Sequence, residues 1–375
     1  MSNNRMNLNN SKEIIVVTVE IGLGGAERVL TELMKEWVHK GNAVTLIQTK
    51  PGIYGHSYTV DKDIRLVSFK SRGHTKVSRY FHETTDLLKY LKKHPNATVV
   101  AFVNPSIRIV AACSLFVRNR VVFSERCDPR FTPPSRLMRW LRDRLFRFAS
   151  VCVFQTEDAM KLFPKGVQKK GIVIPNPVNP DMPPVTTMHR NKVIMTACRL
   201  STQKNLPMLI KAFSGVVKDY PEYSLHIYGT GEERDNLQKL IEKYDLEGKA
   251  KLIGHSSDIF HIMQESAMYV CSSNYEGISN SLLEALCMGM PVISTDHPIG
   301  GAKVMISDQE NGLLVPVGDD EEMCSAMKYL IEHPETAERL GENAKKIRER
   351  WPVDKIADRW LSVFNIRRGD DDDRT

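Results

Sequence analysis

The sequence predicts an α/β protein made of two doubly wound domains. Short segments rich in β-branched residues alternate with longer segments whose apolar residues recur at helical spacing, as in parallel sheets covered by helices. A proline-rich stretch at residues 175–184 interrupts this alternation, which then restarts. The length of 375 residues also favours two domains over one.

The first half contains the strand candidates of one parallel sheet. They are short segments rich in apolar residues at 14–19, 43–48, 64–69, 98–103, 121–123, 151–154 and 172–174. Helical spacing of apolar residues predicts helices at 26–39 and 77–94. Because helices connect successive strands, the strands are expected to run parallel.

The second half repeats the pattern after the proline-rich linker. Its predicted strands are residues 193–197, 224–228, 251–253, 268–271, 292–294 and 312–315, and its helices include 206–218, 232–244, 259–265, 279–288 and 321–331. We therefore expect an N-terminal domain at 1–185 and a C-terminal domain at 186–350. A last helix at 351–368 should precede an acidic tail at 369–375.

Charge is unevenly divided between the halves. Residues 1–188 contain 29 Lys and Arg against 15 Asp and Glu, a net charge of +14, whereas residues 189–375 carry −7. Such asymmetry indicates that the first half meets a polyanion or an anionic membrane surface.

No apolar run approaches the roughly 18 residues of a membrane span, and the polar start lacks a signal-peptide core. We therefore expect a cytoplasmic protein.

Two glutamates provide the main functional signal. Glu276 and Glu284 are separated by seven residues, and a predicted helix starts at Ser279-Asn280 between them. The N–H groups at a helix start favour phosphate, here at Gly277, Ile278, Ser279 and Asn280. The flanking carboxylates can accept hydrogen bonds from hydroxyl groups. A phosphate between hydroxyl-bearing rings describes a nucleotide sugar; the alternative is a surface carboxylate pair on an ordinary amphipathic helix.

Two cations open the second domain. Arg199 and Lys204 lie in the loop between a predicted strand and helix, within Arg199-Leu200-Ser201-Thr202-Gln203-Lys204-Asn205. A guanidinium and an ammonium near a helix start can neutralise a diphosphate leaving group. Exposed loop cations without a ligand are the alternative.

A glycine-rich turn follows the first strand, at Gly22-Leu23-Gly24-Gly25-Ala26-Glu27-Arg28. Glycines allow the backbone to approach a phosphate closely at a helix start. A dinucleotide-binding turn would have the spacing G-x-G-x-x-G and an acidic residue after the second strand, which instead ends Gln48-Thr49-Lys50. A purely structural turn remains an alternative.

Together these elements closely resemble retaining glycosyltransferases of family 4, which have the GT-B fold of two Rossmann-like domains facing across a cleft. The resemblance implies an acceptor-binding N-terminal domain and a nucleotide-sugar-binding C-terminal domain, with the last helix returning to the first domain. It implies that Arg199, Lys204, Gly24 and Gly25 lie at the donor diphosphate, Glu284 at the ribose and Glu276 at the sugar. Catalytic roles then fall to Glu276, Arg199 and Lys204.

Further loops resemble donor-side loops of this family. Gly229 and Gly254 each follow a predicted strand, and Gly254 is expected near the base, uracil or guanine. Many members carry a histidine in the loop at residues 124–130. This chain has Glu125-Arg126 there instead of a histidine, and Glu125 or Asp128 is a candidate for positioning the acceptor.

Basic clusters in the first half suggest a membrane partner. One consists of Lys70, Arg72, Lys76 and Arg79; the other interleaves arginines with apolar residues at 136–148. A basic amphipathic helix suits an anionic bilayer, whereas a core helix with a charged outer face is the alternative. The pair Asp61-x-Asp63 resembles a metal-binding motif but has no nucleotide motif nearby, so we expect a turn and no essential metal or other cofactor.

The sequence therefore predicts a glycosyltransferase that moves a sugar from a UDP-sugar, or alternatively a GDP-sugar, to a saccharide acceptor. The resemblance extends to enzymes building bacterial surface glycans, which implies a lipid-pyrophosphate-linked acceptor and peripheral attachment to the inner face of the cytoplasmic membrane. Other GT-B enzymes, such as a phosphorylase or a nucleotide-sugar epimerase, and a catalytically silent glycan-binding protein remain alternatives. Nucleic-acid binding would need stacking aromatics among the basic residues, and few are present.

Overall fold

The computed structural model describes residues 12–22, 24–50, 58–69, 72, 74–102, 104–185 and 190–365. The chain divides into two compact units. The first contains residues 1–177 and 353–375, and the second contains residues 178–352. Lys70 and the acidic tail at 369–375 lie outside the described residues.

The first unit is built on a seven-stranded parallel sheet. Its strands are β1 (Glu13–Thr18), β2 (Ala43–Gln48), β3 (Arg65–Ser68), β4 (Thr98–Ala101), β5 (Arg120–Ser124), β6 (Val151–Phe154) and β7 (Gly171–Val173), in the order β3-β2-β1-β4-β5-β6-β7. Its helices are α1 (Gly25–His39), α2 (Lys76–Lys93), α3 (Asn104–Ser114), α4 (Arg136–Leu145), α5 (Glu157–Lys161), α6 (Lys165–Gln168) and, at the end of the chain, α15 (Val353–Asn365).

The last helix belongs to the first unit because its apolar side packs on α1. Trp360 and Phe364 lie against Trp37, with ring centroids 6.0 and 5.2 Å apart. Trp360 also contacts Phe102 just after β4. The rings of Trp37, Trp360 and Phe364 are all buried. Burial of their apolar area therefore stabilises the packing of α15 on the first unit.

The second unit is built on a six-stranded parallel sheet in the order β10-β9-β8-β11-β12-β13. The strands are β8 (Asn191–Ala197), β9 (Ser224–Tyr228), β10 (Ala250–Gly254), β11 (Ser266–Cys271), β12 (Val292–Thr295) and β13 (Leu313–Val315). The helices are α7 (Leu206–Asp219), α8 (Arg234–Lys243), α9 (Ile259–Glu265), α10 (Asn280–Cys287), α11 (Gly301–Met305), α12 (Asp320–Glu332), α13 (Pro334–Ala344) and α14 (Ile347–Arg350).

The predicted fold class is confirmed, since both units are parallel sheets covered by helices. Apolar side chains of the strands and helices form one core in each unit. The sequence analysis did not predict several helices, among them α3, α5, α6, α11 and α13. Most of these are short, or begin within apolar segments in which helical and strand spacing are hard to distinguish.

Candidate active site

The main site motifs meet at the point where the second sheet changes direction. From β8 the chain proceeds to β9 and β10 on one side, and it returns to β11 on the other side of β8. Arg199 and Lys204 follow β8, whereas Glu276 and Glu284 follow β11. In open parallel sheets the crevice at this position, beyond the carboxyl ends of the strands, is where ligands bind.

Lys204 and Glu276 form an ion pair across this point. The Lys204 ammonium contacts Glu276 Oε1, and both side chains are largely buried, with 16% and 11% of their area exposed. Burial lowers the pKa of Lys204, but the Glu276 carboxylate together with Cys198 and Cys271 raises it by more, so the net pKa is raised and the ammonium stays charged. Ser273 Oγ also donates to Glu276 Oε1 at 3.1 Å. The carboxylate therefore has a fixed position.

The loops that carry this pair are joined by hydrogen bonds. Ser272 Oγ donates to the Lys204 carbonyl at 2.8 Å, and Gln203 Nε2 donates to the Tyr275 carbonyl at 2.9 Å. Asn205 adopts the left-handed conformation, with φ of 46°, and its amide donates to Asn274 Oδ1 at 3.0 Å. The sequence did not identify these serine, glutamine and asparagine contacts, because they join residues about 70 positions apart without a recognisable motif.

Arg199 is exposed, in contrast to Lys204. Its guanidinium forms no ion pair with any residue in the described part of the chain. Since it lies in the same loop as Lys204, it offers an N–H fork at the carboxyl edge of β8 for an anionic ligand.

Helix α10 begins at the same edge. Ser279 is its N-cap residue, and the N–H groups of the first turn point along the helix axis toward the edge. The Tyr269 hydroxyl donates to Ser281 Oγ at 2.8 Å and lies 3.2 Å from the Ala197 carbonyl, which ties this turn to the end of β8. Glu284 lies one turn after Asn280 on the same helix face and is buried, with 5% exposed.

A strained loop after β12 supports the Glu276 loop. Ile299 has a φ of 66°, which is rare for a β-branched residue. Gly301 packs so closely that a Cβ there would lie 1.8 Å from the Gly277 carbonyl oxygen. Thr295 Oγ1 donates to the Ser273 carbonyl at 2.7 Å. His297 is buried beside these residues, and burial lowers its pKa, so that its imidazole is neutral at neutral pH.

The predicted donor-side glycines lie at the ends of neighbouring strands. Gly229 has a φ of 125°, and a Cβ there would lie 1.8 Å from the Cys198 carbonyl oxygen. Its N–H donates to the Gly254 carbonyl at 2.7 Å. Gly254 also has a positive φ, of 93°. Both positions therefore require glycine, and they bring the carboxyl ends of β8, β9 and β10 together.

The first-unit glycines lie at the carboxyl end of β1. Gly24 is the N-cap residue of α1, and Gly25 is its first residue. A Cβ at Gly24 would lie 2.2 Å from Glu27 Oε2, so the Glu27 carboxylate covers this turn. Leu23 lies outside the described residues.

The loop after β5 contains a buried carboxylate. Glu125 Oε1 accepts hydrogen bonds from the N–H groups of Arg126 and Cys127 at 3.1 and 3.2 Å. Its Oε2 accepts from Asn104 Nδ2 at 3.3 Å and lies 3.6 Å from Arg142 Nη1. Burial raises the pKa of Glu125 to about 7, despite these partners. Glu125 thus joins β5, α3 and α4.

Two other charged residues of this loop are also buried. Arg126 contacts Asn176 Oδ1, and its guanidinium lies 4.8 Å from the centroid of the Phe102 ring. Burial lowers the pKa of Arg126 to about 9. Asp128 binds Arg130 at 2.7 Å and has no exposed area. These contacts organise the loop.

The arginine-rich helix α4 departs from the predicted membrane-facing pattern. Arg142 is buried and donates to the Pro129 carbonyl at 2.8 Å and to the Thr132 carbonyl. Arg139 donates to the carbonyls of Pro133 and Pro134 at 2.9 and 2.5 Å. Arg142 therefore supports the proline-rich loop and is not available to a bilayer surface. Arg136, Arg144 and Arg147 are exposed.

The remaining predicted features are local. Asp61 Oδ1 accepts a hydrogen bond from the Asp63 N–H at 2.9 Å, so this pair closes a turn. Arg72 pairs with Asp86 at 2.5 Å. Within the part of the chain that the structure describes, no helix combines the length and apolarity needed to cross a bilayer.

Comparison with known proteins agrees with this arrangement. The model described as "Glycosyltransferase Family 4" matches residues 23–182, and the model described as "Glycosyl transferases group 1" matches residues 180–347. The chain is a GT-B glycosyltransferase of the family 4 type. The two matches meet in the proline-rich segment between the two sheets.

Three similar proteins extend over almost the whole glycosyltransferase chain. An uncharacterized glycosyltransferase of Haemophilus influenzae is 27% identical over 94% of this chain and 100% of its own length. A Campylobacter jejuni alpha-1,4-N-acetyl-D-galactosaminyltransferase, whose name includes a PP-undecaprenol-linked saccharide, is 22% identical over 94% and 98%. The crystal structure of Anabaena HepE in complex with UDP and glucose has a TM-score of 0.79, with 18% identity and coverage of 94% and 99%.

Proposed function

We propose that this glycosyltransferase retains the anomeric configuration of its donor. It would transfer a hexosyl or N-acetylhexosaminyl group from a nucleoside diphosphate sugar to a saccharide acceptor in bacterial glycan biosynthesis. The observation that carries this proposal is the buried Lys204–Glu276 ion pair at the switch point of the second sheet. Two cations and a helix start at one edge match the needs of a diphosphate leaving group, and the fixed carboxylate matches positive charge developing on the sugar ring.

In this mechanism the bond between the anomeric carbon and the diphosphate oxygen breaks as the acceptor oxygen attacks from the same face. The acceptor's proton passes to the departing phosphate. Arg199, Lys204 and the N–H groups at Gly277–Asn280 stabilise the diphosphate. Lys204 can serve both Glu276 and a phosphate because an ammonium has three donors. Glu276 stabilises positive charge that develops on the sugar ring.

Nucleoside binding would involve Glu284, Gly229 and Gly254. The buried Glu284 carboxylate would accept hydrogen bonds from the ribose hydroxyls. The backbone at Gly229 and Gly254 would contact the base, and Gly24 and Gly25 would lie at the diphosphate. UDP is favoured over GDP because the HepE complex contains UDP.

The acceptor is proposed to be a saccharide linked to a lipid pyrophosphate. Support comes from the Campylobacter jejuni relative, whose name specifies such a molecule, and from the basic first half of the chain. The enzyme would then associate with the inner face of the cytoplasmic membrane through exposed cations that include Arg136, Arg144 and Arg147. Each cation near an anionic leaflet contributes about 1 kcal/mol.

Sedimentation with anionic liposomes tests the membrane part. Replacing Arg136, Arg144 and Arg147 with Gln should weaken binding at low salt, whereas nucleotide affinity should be unchanged. Arg142 stays intact because its loss would disturb the loop at residues 129–132. Equal binding to neutral and anionic liposomes, or none to either, would favour a soluble acceptor.

The nature of the donor can be tested by thermal unfolding with a panel of nucleotide sugars. We expect UDP and one UDP-sugar to raise the melting temperature, and the transferred sugar to keep the donor configuration in the NMR spectrum of the product. Inversion at the anomeric carbon would refute the mechanism. We also propose that Arg199 and Lys204 replace a divalent ion, so turnover should continue in EDTA. If EDTA abolishes turnover and manganese or magnesium restores it, the enzyme requires a divalent ion.

A further inference from the structure

Large apolar side chains are exposed on the first two turns of two helices in the first unit. On α2, Val77 and Phe81 have 80% and 64% of their area exposed. On α4, Leu137 and Trp140 have 70% and 54% exposed. We call these four residues the apolar face. Side chains of this size leave water readily when a partner is present.

The apolar face lies at the carboxyl edge of the first sheet. Helices α2, α3 and α4 follow β3, β4 and β5, so their first turns occupy the same edge. Helix α3 connects the other two, since the Tyr80 hydroxyl of α2 donates to the Arg108 carbonyl of α3 at 3.0 Å, and α3 also packs against α4. The carboxyl edge is the ligand-binding edge of such sheets, which places the face beside the expected acceptor side.

A crevice between α3 and α4 continues this apolar surface. Its volume is about 110 Å³, and its apolar lining consists of Pro105, Ile107, Pro133, Met138, Leu141 and Leu145. Apolar cavities of about 150 Å³ accept a benzene-sized molecule. The crevice therefore has the size and character to hold a short hydrocarbon segment.

Cations surround the apolar face. Lys76 and Arg79 flank Val77 on α2, Arg108 is exposed on α3, and Arg136 precedes Leu137 on α4. The Arg144 guanidinium lies 5.0 Å from the centroid of the Trp140 ring. Aromatic and aliphatic side chains surrounded by arginine and lysine match the interfacial layer of an anionic bilayer, in which rings lie at headgroup depth.

We propose that the apolar face inserts into the interfacial layer of an anionic bilayer, with hydrocarbon chains of that bilayer against the α3–α4 crevice. This inference rests on the proposed function, since it brings the acceptor edge to the membrane that carries the lipid-linked saccharide. It differs from attraction between the basic half and the leaflet, because burial of apolar area persists when salt screens charges.

Trp140 provides a direct probe of insertion. The other three tryptophans, Trp37, Trp351 and Trp360, are at least 96% buried. The probe is a vesicle of phosphatidylglycerol and phosphatidylcholine in equal parts, with bromine on the phosphatidylcholine chains. We expect a blue shift and quenching of the wild-type emission on binding. Trp140→Phe should remove both signals while the protein still sediments with the vesicles.

Salt and a matched control distinguish insertion from attraction. At 0.5 M NaCl, where the screening length is about 4 Å, a fraction of the wild type should remain bound. Phe81→Ser with Leu137→Ser should lower that fraction about tenfold and abolish Trp140 quenching. Phe116→Ser is the control, because Phe116 is equally exposed, at 67%, but follows α3 at the opposite edge of the sheet. It should change neither signal.

The inference is overturned if the bound protein shows no quenching, or if Phe116→Ser loses binding as much as the double variant. Transfer to a lipid-free saccharide acceptor separates this outcome from the proposed function. If the wild type transfers sugar but shows no quenching, only the proposed insertion is refuted. If the wild type shows quenching but neither binds nucleotide nor transfers sugar, the proposed function is refuted. The reason given for insertion is then refuted as well.

Discussion

Lys204 and Glu276 connect two loops that lie 72 residues apart in the chain but follow neighbouring strands of the second sheet. The pair is largely buried, and the Ser273 hydroxyl donates a second hydrogen bond to the same carboxylate oxygen. Electrostatic groups stabilise a transition state best when their positions are fixed beforehand. This ion pair therefore provides a pre-organised charge at the edge where the donor is proposed to bind.

Replacing Arg199 with Ala should lower kcat about 100-fold, as when one electrostatic stabiliser is removed. Thermal stability should not change, because Arg199 is exposed. Steady-state kinetics and a melting curve measure both effects. Arg234→Ala is a control, since Arg234 is an exposed arginine on α8 of the same unit that contacts the Leu252 carbonyl. Wild-type turnover in the Arg199 variant would place the leaving-group charge elsewhere.

Replacing Lys204 with Met should reduce both activity and stability. The substitution leaves the Glu276 carboxylate largely buried without its counter-ion, and breaking such pairs costs about 3 kcal/mol. Adding Glu276→Gln should restore most of the stability, because no buried charge remains, but it should not restore turnover. Denaturant titration with a double-mutant cycle measures the coupling. Additive effects on stability would show that the two residues do not interact.

Replacing Glu284 with Ala should weaken nucleoside diphosphate binding by roughly 1.5–3 kcal/mol, the value of a hydrogen bond to a charged group. Glu284→Gln keeps the side-chain volume and separates the loss of charge from the formation of a cavity. Isothermal titration calorimetry with UDP measures the change. Unchanged affinity in both variants would remove Glu284 from the nucleoside site.

Glu125 should make stability depend on pH. Its pKa is raised from 4.5 to about 7 by burial, so the folded state holds a proton that the unfolded state releases between these values. The contribution of Glu125 to the free energy of unfolding therefore falls as pH rises from about 4.5 to 7. Relative to wild type, Glu125→Gln should gain stability over that window in denaturant titrations. A difference that stays constant with pH would show that the carboxyl is not shifted.

Much of the fold could be predicted from the chain because strand and helix spacing repeat in both halves. The run at residues 268–271 is apolar throughout and the run at 14–19 is apolar except for Thr18, as expected of strands buried on both faces. The loop and helix start predicted between Glu276 and Glu284 are also present in the structure, where Ser279 is the N-cap residue of α10. These features depend on local sequence.

Other parts of the site depend on contacts that local sequence does not encode. Arg142 has the same helical context as Arg144, but Arg142 points to Pro129 and Thr132 whereas Arg144 is exposed. The contact between Gly301 and the Gly277 carbonyl arises from the packing of neighbouring strand ends. Helical periodicity predicts the face of the helix on which a residue lies, but it does not predict which loop packs over that face.

Acceptor-dependent release of UDP measures glycosyl transfer at the Lys204–Glu276 site. Purified enzyme is incubated with the UDP-sugar that best stabilises it and a saccharide linked to undecaprenyl pyrophosphate, and UDP is measured with the glycosylated product. We predict equimolar UDP and product from the wild type and at least 100-fold less from Glu276→Gln, the size of effect seen for one electrostatic group. Absence of acceptor-dependent UDP or GDP release with every donor would show that the protein does not transfer sugars from these nucleotides, and equal release by Glu276→Gln would show that Glu276 does not take part in the transfer.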